Sequence, residues 1–364
     1  MFVDLQVHSG LLGFVKTFAQ ECPEKRIKYL YAESLEQIEF EKQEKDSSSS
    51  HLFVSYKGRT RQIGEFETVE NEYSICRKLD FYKRGGLNEL KIVNTFRPEP
   101  MLGEVEVKIH AAGVNFRDVL NVMDLYPGDP GTIGGEFAGI VSRIPEGEKT
   151  FRVGDKVFGC GGYNGFAEYT LVSNQTIYRG NEIYDYSTLA SLPIVALTVE
   201  ESFYQLTQIK KGQNILIHAG AGGVGMIATQ YALNAGCNVW VTCSETKRPF
   251  IDSRVQGIGN SRDAEDFNEE IREVKFDIVL NSLSGNYIKY SFDKLKEGGV
   301  FVEIGKRNVW TAEEVEKYRS DVSYHTVAMD HRINDEPSYI YPLLKNIMTR
   351  KLKPMNETIY DFTR

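Results

Sequence analysis

The residues best equipped to hold a ligand lie at 214–225, NILIHAGAGGVG, where a short apolar run leads straight into glycines spaced as G-x-G-x-x-G at Gly220, Gly222 and Gly225. Glycine at these positions lets backbone approach a pyrophosphate. The N–H groups that open the following segment, those of Gly223 and Val224 among them, can then bind its charge. The competing possibility is a tight strand-to-helix turn with no ligand, but the strand-like run before and the helix-like GMIATQYALNAG after supply the context that the chemistry needs. An acidic residue about 20 positions on would bind a ribose 2′-hydroxyl. The chain instead presents Ser244, Glu245, Thr246, Lys247 and Arg248. A hydroxyl at Ser244 with a cation at Lys247 suits a 2′-phosphate and hence NADPH, whereas Glu245 argues for NADH.

A nucleotide turn of this kind needs a parallel sheet behind it. From about residue 187 the sequence alternates helix-length segments with the apolar runs NILIHAG, NVWVTC, FDIVLNS and GVFVEIG, the pattern of buried parallel strands in a doubly wound sheet. Residues 90–186 read differently. LKIVN, EVEVKIHAAGV, GDKVFGC and FAEYTLV are short strands punctuated by Gly and Pro, with LYPGDPGTIGGEFAG as a loop-rich interruption, and together they predict a compact β-rich unit. The first 87 or so residues hold a helix-like stretch, GLLGFVKTFAQECPEKRIKYLYAES, a solvated run at Ser47, Ser48, Ser49 and Ser50, and the strand-like HLFVSYKG.

Of the 364 residues, 41% are hydrophobic and 26% charged, a globular balance that excludes a disordered or fibrous chain. The net charge of −8 leaves no basic field for a nucleic-acid backbone. No apolar run is long enough for a membrane helix, and the first residues lack a signal-peptide pattern, so the expected compartment is the cytosol. Cys22, Cys76, Cys160, Cys237 and Cys243 are odd in number and scattered, and read as reduced structural thiols.

The segments AAGVNFRDVL, LYPG, GGEFAG, VGDKVFG, ASLPIVALT, HAGAGGVG, VLNSLSG and FVEIGK, in this order over residues 90–364, resemble the enoyl reductase domain of iterative polyketide synthases and animal-type fatty acid synthases. These are zinc-free members of the medium-chain dehydrogenase/reductase superfamily. The upstream GLLGFVKTFAQECPE is similar to a stretch of the structural, non-catalytic half of the ketoreductase that precedes the reductase in such synthases. Zinc-dependent relatives carry a Cys near positions 115–118 and a His within GHE. Here that stretch has no Cys, Gly135 stands in place of the His, and only Glu136 remains of the set, short of the three protein ligands a catalytic zinc takes. His110, His218 and His325 form no ligand spacing and read as strand or loop histidines.

The resemblance implies NADPH-dependent reduction of trans-2-enoyl thioesters carried on an acyl carrier protein. Such a reduction needs a hydride at Cβ, stabilisation of the developing enolate oxygen and a proton at Cα. It assigns the protein's share of these tasks to Lys306 in VEIGKR, Asp330 in YHTVAMD and Tyr126 in LYPG, and leaves open which of them gives the proton. A lysine at the C-terminal end of a parallel strand faces the crevice where ligands of open α/β sheets bind, and Asp330 could pair with it. By motif alone the resemblance adds Asn115, Thr198, Asn281 and Ser282 to the cofactor-contacting set. The spacing from Lys247 to Ser261, Arg262 and Asp263 is shorter than in most relatives, which weakens Arg262 as a phosphate partner.

The expected architecture is thus α/β, with a GroES-like catalytic domain at 88–190 completed by 325–364, a Rossmann-type NADPH domain at 191–324, and a structural fragment with linker at 1–87. Relatives continue beyond YDFTR through a further helix and strand, so a truncated C-terminus is also expected. Neighbouring synthase domains and a possible homodimer follow from the resemblance only. Two other readings fit the same fold. One is a free-standing zinc-independent quinone oxidoreductase, against which LYPG, EIGK and the ketoreductase-like leader argue. The other is a catalytically silent scaffold segment of a megasynthase.

Overall fold

The structure, a computed structural model, describes residues 52–57, 60–65, 74–128, 130–162, 164–355 and 357–362. The chain forms two compact units, Met1–Tyr73 and Ser74–Arg364. In the first, β1 (Leu52–Lys57) pairs antiparallel with β2 (Thr60–Glu65), where the sequence suggests a strand in HLFVSYKG. The helix-like leader and the serine run lie outside the described residues.

The second unit begins earlier than the expected boundary near residue 87. β3 (Ile75–Phe81) and β4 (Leu90–Phe96) form an antiparallel hairpin. Its first strand is tied to the next sheet by Leu79 N–H donating to Phe166 O at 2.7 Å and Glu168 N–H donating to Arg77 O at 2.9 Å. Residues 74–87 therefore belong with the β-rich unit and not with the leader.

That unit is a five-stranded antiparallel sheet built from β5 (Glu104–Gly113), β6 (Glu136–Arg143), β7 (Lys156–Cys160), β8 (Tyr169–Ser173) and β9 (Ile177–Arg179), in the order β8-β5-β6-β7-β9. Its interior is filled by Val105, Val107, Phe137, Val141, Val157 and Ile177, alternate residues of strands with one buried face. β6 was legible only as loop, because Gly134, Gly135 and Gly139 break its apolar pattern. Gly139 is nonetheless required: a Cβ there would stand 2.0 Å from the Lys108 carbonyl oxygen on the paired strand. Between β5 and β6 runs α1 (Phe116–Val122), which ends where Asp124 adopts φ +57° and turns the chain toward Tyr126.

α2 (Tyr186–Ala190), capped by the Asp185 side chain accepting from Thr188 N–H at 2.8 Å, leads to α3 (Pro193–Glu200), which starts with proline in its first turn. These helices connect the antiparallel sheet to a parallel one of six strands, β10 (Asn214–Ile217), β11 (Asn238–Cys243), β12 (Gly257–Asn260), β13 (Phe276–Asn281), β14 (Leu295–Glu303) and β15 (Ser323–Thr326). The order is β12-β11-β10-β13-β14-β15, so the chain winds outward in both directions from β10, as in a dinucleotide-binding sheet. Ile215 and Ile217 face one core and Leu216 the other, so both faces are covered and the strand reads as a continuous apolar run. β12 and β15 have no counterpart among the strands that the sequence predicts. Each is an edge strand with a single neighbour, and GIGN and SYHT carry too little buried apolar surface to signal one.

The helices of this half are α4 (Gly223–Asn234), α5 (Ala264–Glu270), α6 (Asn286–Lys294) and α7 (Ala312–Tyr318). Beyond β15 come α8 (Met329–Asp335) and α9 (Pro337–Thr349). α9 returns to the antiparallel sheet, where Tyr341 meets Tyr178 of β9 edge-on at 5.2 Å, and Tyr184 donates to the Leu352 carbonyl at 2.7 Å. Cys76, Cys160, Cys237 and Cys243 are buried and unpaired. Among the described residues no helix is long and apolar enough to cross a membrane.

Candidate active site

The parallel sheet delivers its functional side chains along one edge, because every strand ends on the same side. β10 runs into the glycine turn, β11 into Ser244, β13 into Asn281 and Ser282, and β14 into Gly305 and Lys306. At the glycine turn each glycine has a distinct reason. A Cβ at Gly220 would stand 2.6 Å from Val241 Cβ on β11, and one at Gly225 would stand 2.3 Å from the Ala219 carbonyl oxygen, so α4 presses directly on the end of β10. Ala219 itself takes φ +51°. The first intrahelical bond of α4 is Met226 N–H to Gly222 O, and no side chain caps the helix. The N–H groups of Gly223, Val224 and Gly225 are therefore available to an anion, and this cradle fits the pyrophosphate of a dinucleotide.

Ser244 hydroxyl lies 3.3 Å from that of Thr246, and Lys247 is exposed. Arg248 Nε donates to Glu245 Oε2 at 2.6 Å. Arg262 is exposed on the surface, its N–H donating to Asn260. Thr198 Oγ1 donates to Ile194 O at 2.8 Å, so this hydroxyl is spent within its own helix.

At the end of β13, Asn281 Nδ2 donates to Glu303 Oε2 at 2.6 Å and to Leu283 O at 2.8 Å, and Glu303 Oε1 accepts the Gly305 N–H at 2.6 Å. Burial pushes the Glu303 carboxyl up to about 7, against hydrogen bonds from Asn281, Gly305 and Ile304 that favour the anion. This carboxyl, to which the sequence assigns no role, fixes the turn that aims Lys306. A Cβ at Gly305 would stand 2.6 Å from Glu303 Oε1, so any side chain there would have to displace this carboxyl from its hydrogen bonds. Ser282 Oγ is buried with no hydrogen-bond partner.

Lys306 Nζ lies 3.3 Å from Asp330 Oδ1, and Tyr126 OH donates to Asp330 Oδ2. The loop after α1, the end of β14 and the start of α8 thus meet at one carboxylate, across 204 and 24 residues of chain. Burial opposes ionisation of Asp330. The Tyr126 hydrogen bond, the Lys306 and His331 charges and the Lys306 hydrogen bond outweigh it and hold the group below the usual carboxylate range. Burial, then the Asp330 hydrogen bond and charge, push the Tyr126 phenol up to about 12, so it keeps its proton through the neutral range. Arg117, within the quoted NFRD but given no role on sequence, lies beside the same carboxylate, its Nε 3.7 Å from Asp330 Oδ2.

Asn115 opens α1, and its Nδ2 donates to Glu136 Oε1 at 2.7 Å, while Glu136 Oε2 accepts the Ile194 N–H of α3 at 2.7 Å. Burial pushes Glu136 up to about 7 despite these bonds. Glu136 therefore works as a strut between Asn115 and the connecting helix, and the space beside Gly135 is open, with nothing within 4 Å of an added Cβ. Among the described residues no three His, Cys, Asp or Glu side chains converge as metal ligands, so the donor set does not fit a catalytic zinc. His218 is a core residue, its ring nitrogens 3.1 Å from Thr242 Oγ1 and 2.8 Å from Ser291 Oγ.

Residues 102–182 match the alcohol dehydrogenase GroES-like domain. The crystal structure of CurK enoyl reductase superposes with a TM-score of 0.74 at 33% identity, covering 78% of this chain and 92% of that one. A highly reducing polyketide synthase of Didymella fabae is 33% identical over 265 residues, 69% of this chain and 14% of the synthase. A type I polyketide synthase of Mycobacterium tuberculosis, Pks1, named as inactive, is 34% identical over 272 residues, 71% of this chain and 16% of its own length. The chain thus spans well under a fifth of these synthases. Identity of one third across nearly the whole of an enoyl reductase structure, on the same pair of sheets, shows that the chain belongs to the polyketide synthase enoyl reductases of the medium-chain dehydrogenase/reductase superfamily.

Proposed function

We propose that the chain reduces trans-2-enoyl thioesters presented on an acyl carrier protein, with NADPH as reductant, as the enoyl reductase segment of a polyketide synthase. The observation that carries this reading is the meeting of Tyr126, Lys306 and Asp330 beside the edge that holds the glycine turn. NADPH, when bound, supplies a hydride to Cβ of the enoyl group. The rest falls to the protein. The free N–H groups at the start of α4 hold the pyrophosphate, and Ser244 with Lys247 favours a 2′-phosphate. The ammonium of Lys306 and the hydroxyl of Tyr126 stabilise the negative charge that develops on the thioester oxygen.

One of these two groups then delivers a proton to Cα, completing addition of hydride and proton across the double bond. Asp330 is held ionised, so it orients both donors and carries no proton to give. Tyr126 carries its proton at every physiological pH and so has one to give, though a phenol near 12 is a weak acid until its surroundings lower it. Neighbouring synthase domains and a second copy of the chain are the partners that this reading adds.

NADPH oxidation with a short enoyl pantetheine thioester, run beside NADH and a quinone, tests it. Thioester-dependent turnover that prefers NADPH is the expected result. Turnover on the quinone alone would replace the reading with a free-standing quinone oxidoreductase. Bound NADPH without turnover would leave a silent scaffold segment, a second reading favoured by the Pks1 similarity, since a relative named as inactive is as similar as the others.

A further inference from the structure

Arg117 occupies the second position of α1, and its guanidinium is used unevenly. Nη2 donates to Pro130 O and Nη1 donates to Thr132 O at 3.3 Å, so two of its nitrogens hold the backbone of the loop that follows Tyr126. The third, Nε, is buried and has no hydrogen-bond partner. It lies 3.7 Å from Asp330 Oδ2, inside ion-pair range and beyond the roughly 2.7–3.2 Å of an N–H···O bond. Its charge also lies 5.7 Å from the centre of the Tyr126 ring. The oxygen that Nε faces is the one already accepting the Tyr126 hydroxyl, whereas Lys306 uses Oδ1 and does not compete.

We propose that Arg117 Nε replaces the Tyr126 hydroxyl on Asp330 Oδ2 when that hydroxyl turns to the substrate, which makes Arg117 a positioning residue of the reductase. The inference rests on the reading above, in which Tyr126 donates to the thioester. Without a replacement, departure of the phenol would strip a buried carboxylate oxygen of its donor while a buried N–H beside it stayed unpaired, and both arrangements are costly. A shift of less than about 1 Å brings Nε into bonding range and satisfies both. The exchange also helps the acid. Burial and Asp330 push the Tyr126 phenol up, and the Arg117 charge acts in the opposite direction.

The test is a double-mutant cycle on thioester-dependent NADPH oxidation with Arg117→Gln and Tyr126→Phe, singly and together. Arg117→Gln is expected to lower kcat about tenfold, with KM for the thioester and NADPH affinity within about twofold of wild type. In the Tyr126→Phe background the same replacement should change kcat by less than about twofold, because the donor that it replaces is gone. A tenfold loss in both backgrounds, an unchanged kcat, or a loss confined to NADPH affinity overturns the proposal. If Tyr126→Phe alone leaves kcat at the wild-type value, Tyr126 makes no contact that the reaction needs and the exchange falls, whereas absence of thioester-dependent turnover in the wild type sinks the reductase reading itself. That result is distinct from a slow Tyr126→Phe with an additive Arg117 effect, which sinks only the exchange. Should Arg117→Gln lose its fold, Arg117→Lys keeps the charge and carries the same comparison, with a smaller kcat loss that must vanish in the Tyr126→Phe background.

Discussion

The glycine turn and the Tyr126–Asp330–Lys306 cluster sit in the same compact unit and are built in opposite ways. The turn is contiguous: Ala219, Gly220, Gly222 and Gly225 contact one another and the ends of β10 and β11, and its chemistry is that of exposed backbone N–H groups. The cluster joins side chains from a loop, a strand end and a helix start, all on one carboxylate. A local device made of backbone can bind a cofactor but cannot move a proton. A device made of side chains can do so, and depends on three segments arriving together. Damage to the first should appear in cofactor affinity and damage to the second in turnover.

Removing both ends of the cluster, with Lys306→Ala and Asp330→Ala combined, should have the largest effect. We expect a loss of about 10²–10⁴ in kcat with NADPH binding retained, and an unchanged rate would take both residues out of the mechanism. Tyr126→Phe keeps the ring and removes only the donor. It should cost about 10–10² in kcat, and its pH profile should lose the alkaline limb that a phenol near 12 provides. On the other side, Gly225→Ala puts a Cβ 2.3 Å from the Ala219 carbonyl oxygen and should weaken NADPH at least about tenfold in a fluorescence titration. Intact affinity there would mean that the turn can relax without cost. Lys247→Ala should narrow the preference for NADPH over NADH by about tenfold, the worth of one charge-assisted hydrogen bond; equal losses for both cofactors would remove it from the 2′-phosphate site.

The smallest expected difference is in how pH affects the two regions. Next to the cluster, Glu303 is raised to about 7, so the folded chain holds a proton that the unfolded chain has released. That contribution to stability is complete below the ordinary carboxylate value and is lost as pH rises through about 7. Next to the turn, His218 is pushed down to about 3 by burial, so its contribution is present above the ordinary histidine value and is lost as pH falls toward 3. Glu136, also raised to about 7, acts in the same sense. Melting temperature should therefore peak in the mildly acidic range, and Glu303→Gln should reduce, without abolishing, the fall between pH 5 and 8. The same slope in that variant would remove Glu303 as the cause.

Legibility followed the same division. The parallel strands β10, β11, β13 and β14 are buried on both faces, so each is an unbroken apolar run, and the glycine spacing between β10 and α4 is a local code. β6 was hidden because glycines forced by close backbone contact interrupt its pattern, and β12 and β15 because an edge strand buries little. In the site, Lys306, Asp330 and Tyr126 could be named from resemblance, but nothing along the chain says that Asp330 uses both oxygens, one for each partner. Arg117 and Glu303 lie inside the NFRD and EIGK segments, but the segments do not give their roles, since what distinguishes them is an unpaired Nε and a buried carboxyl, both products of packing.

The sequence by itself determined the two-sheet architecture and the place of the glycine turn between β10 and α4, because both depend on residue type and spacing within a few turns of chain. Only the tertiary structure decided which oxygen of Asp330 each donor takes, where Glu136 and Glu303 spend their hydrogen bonds, and that Arg117 stands beside the same carboxylate. These are contacts between segments far apart in sequence, and burial and distance between such segments set the charges that do the chemistry.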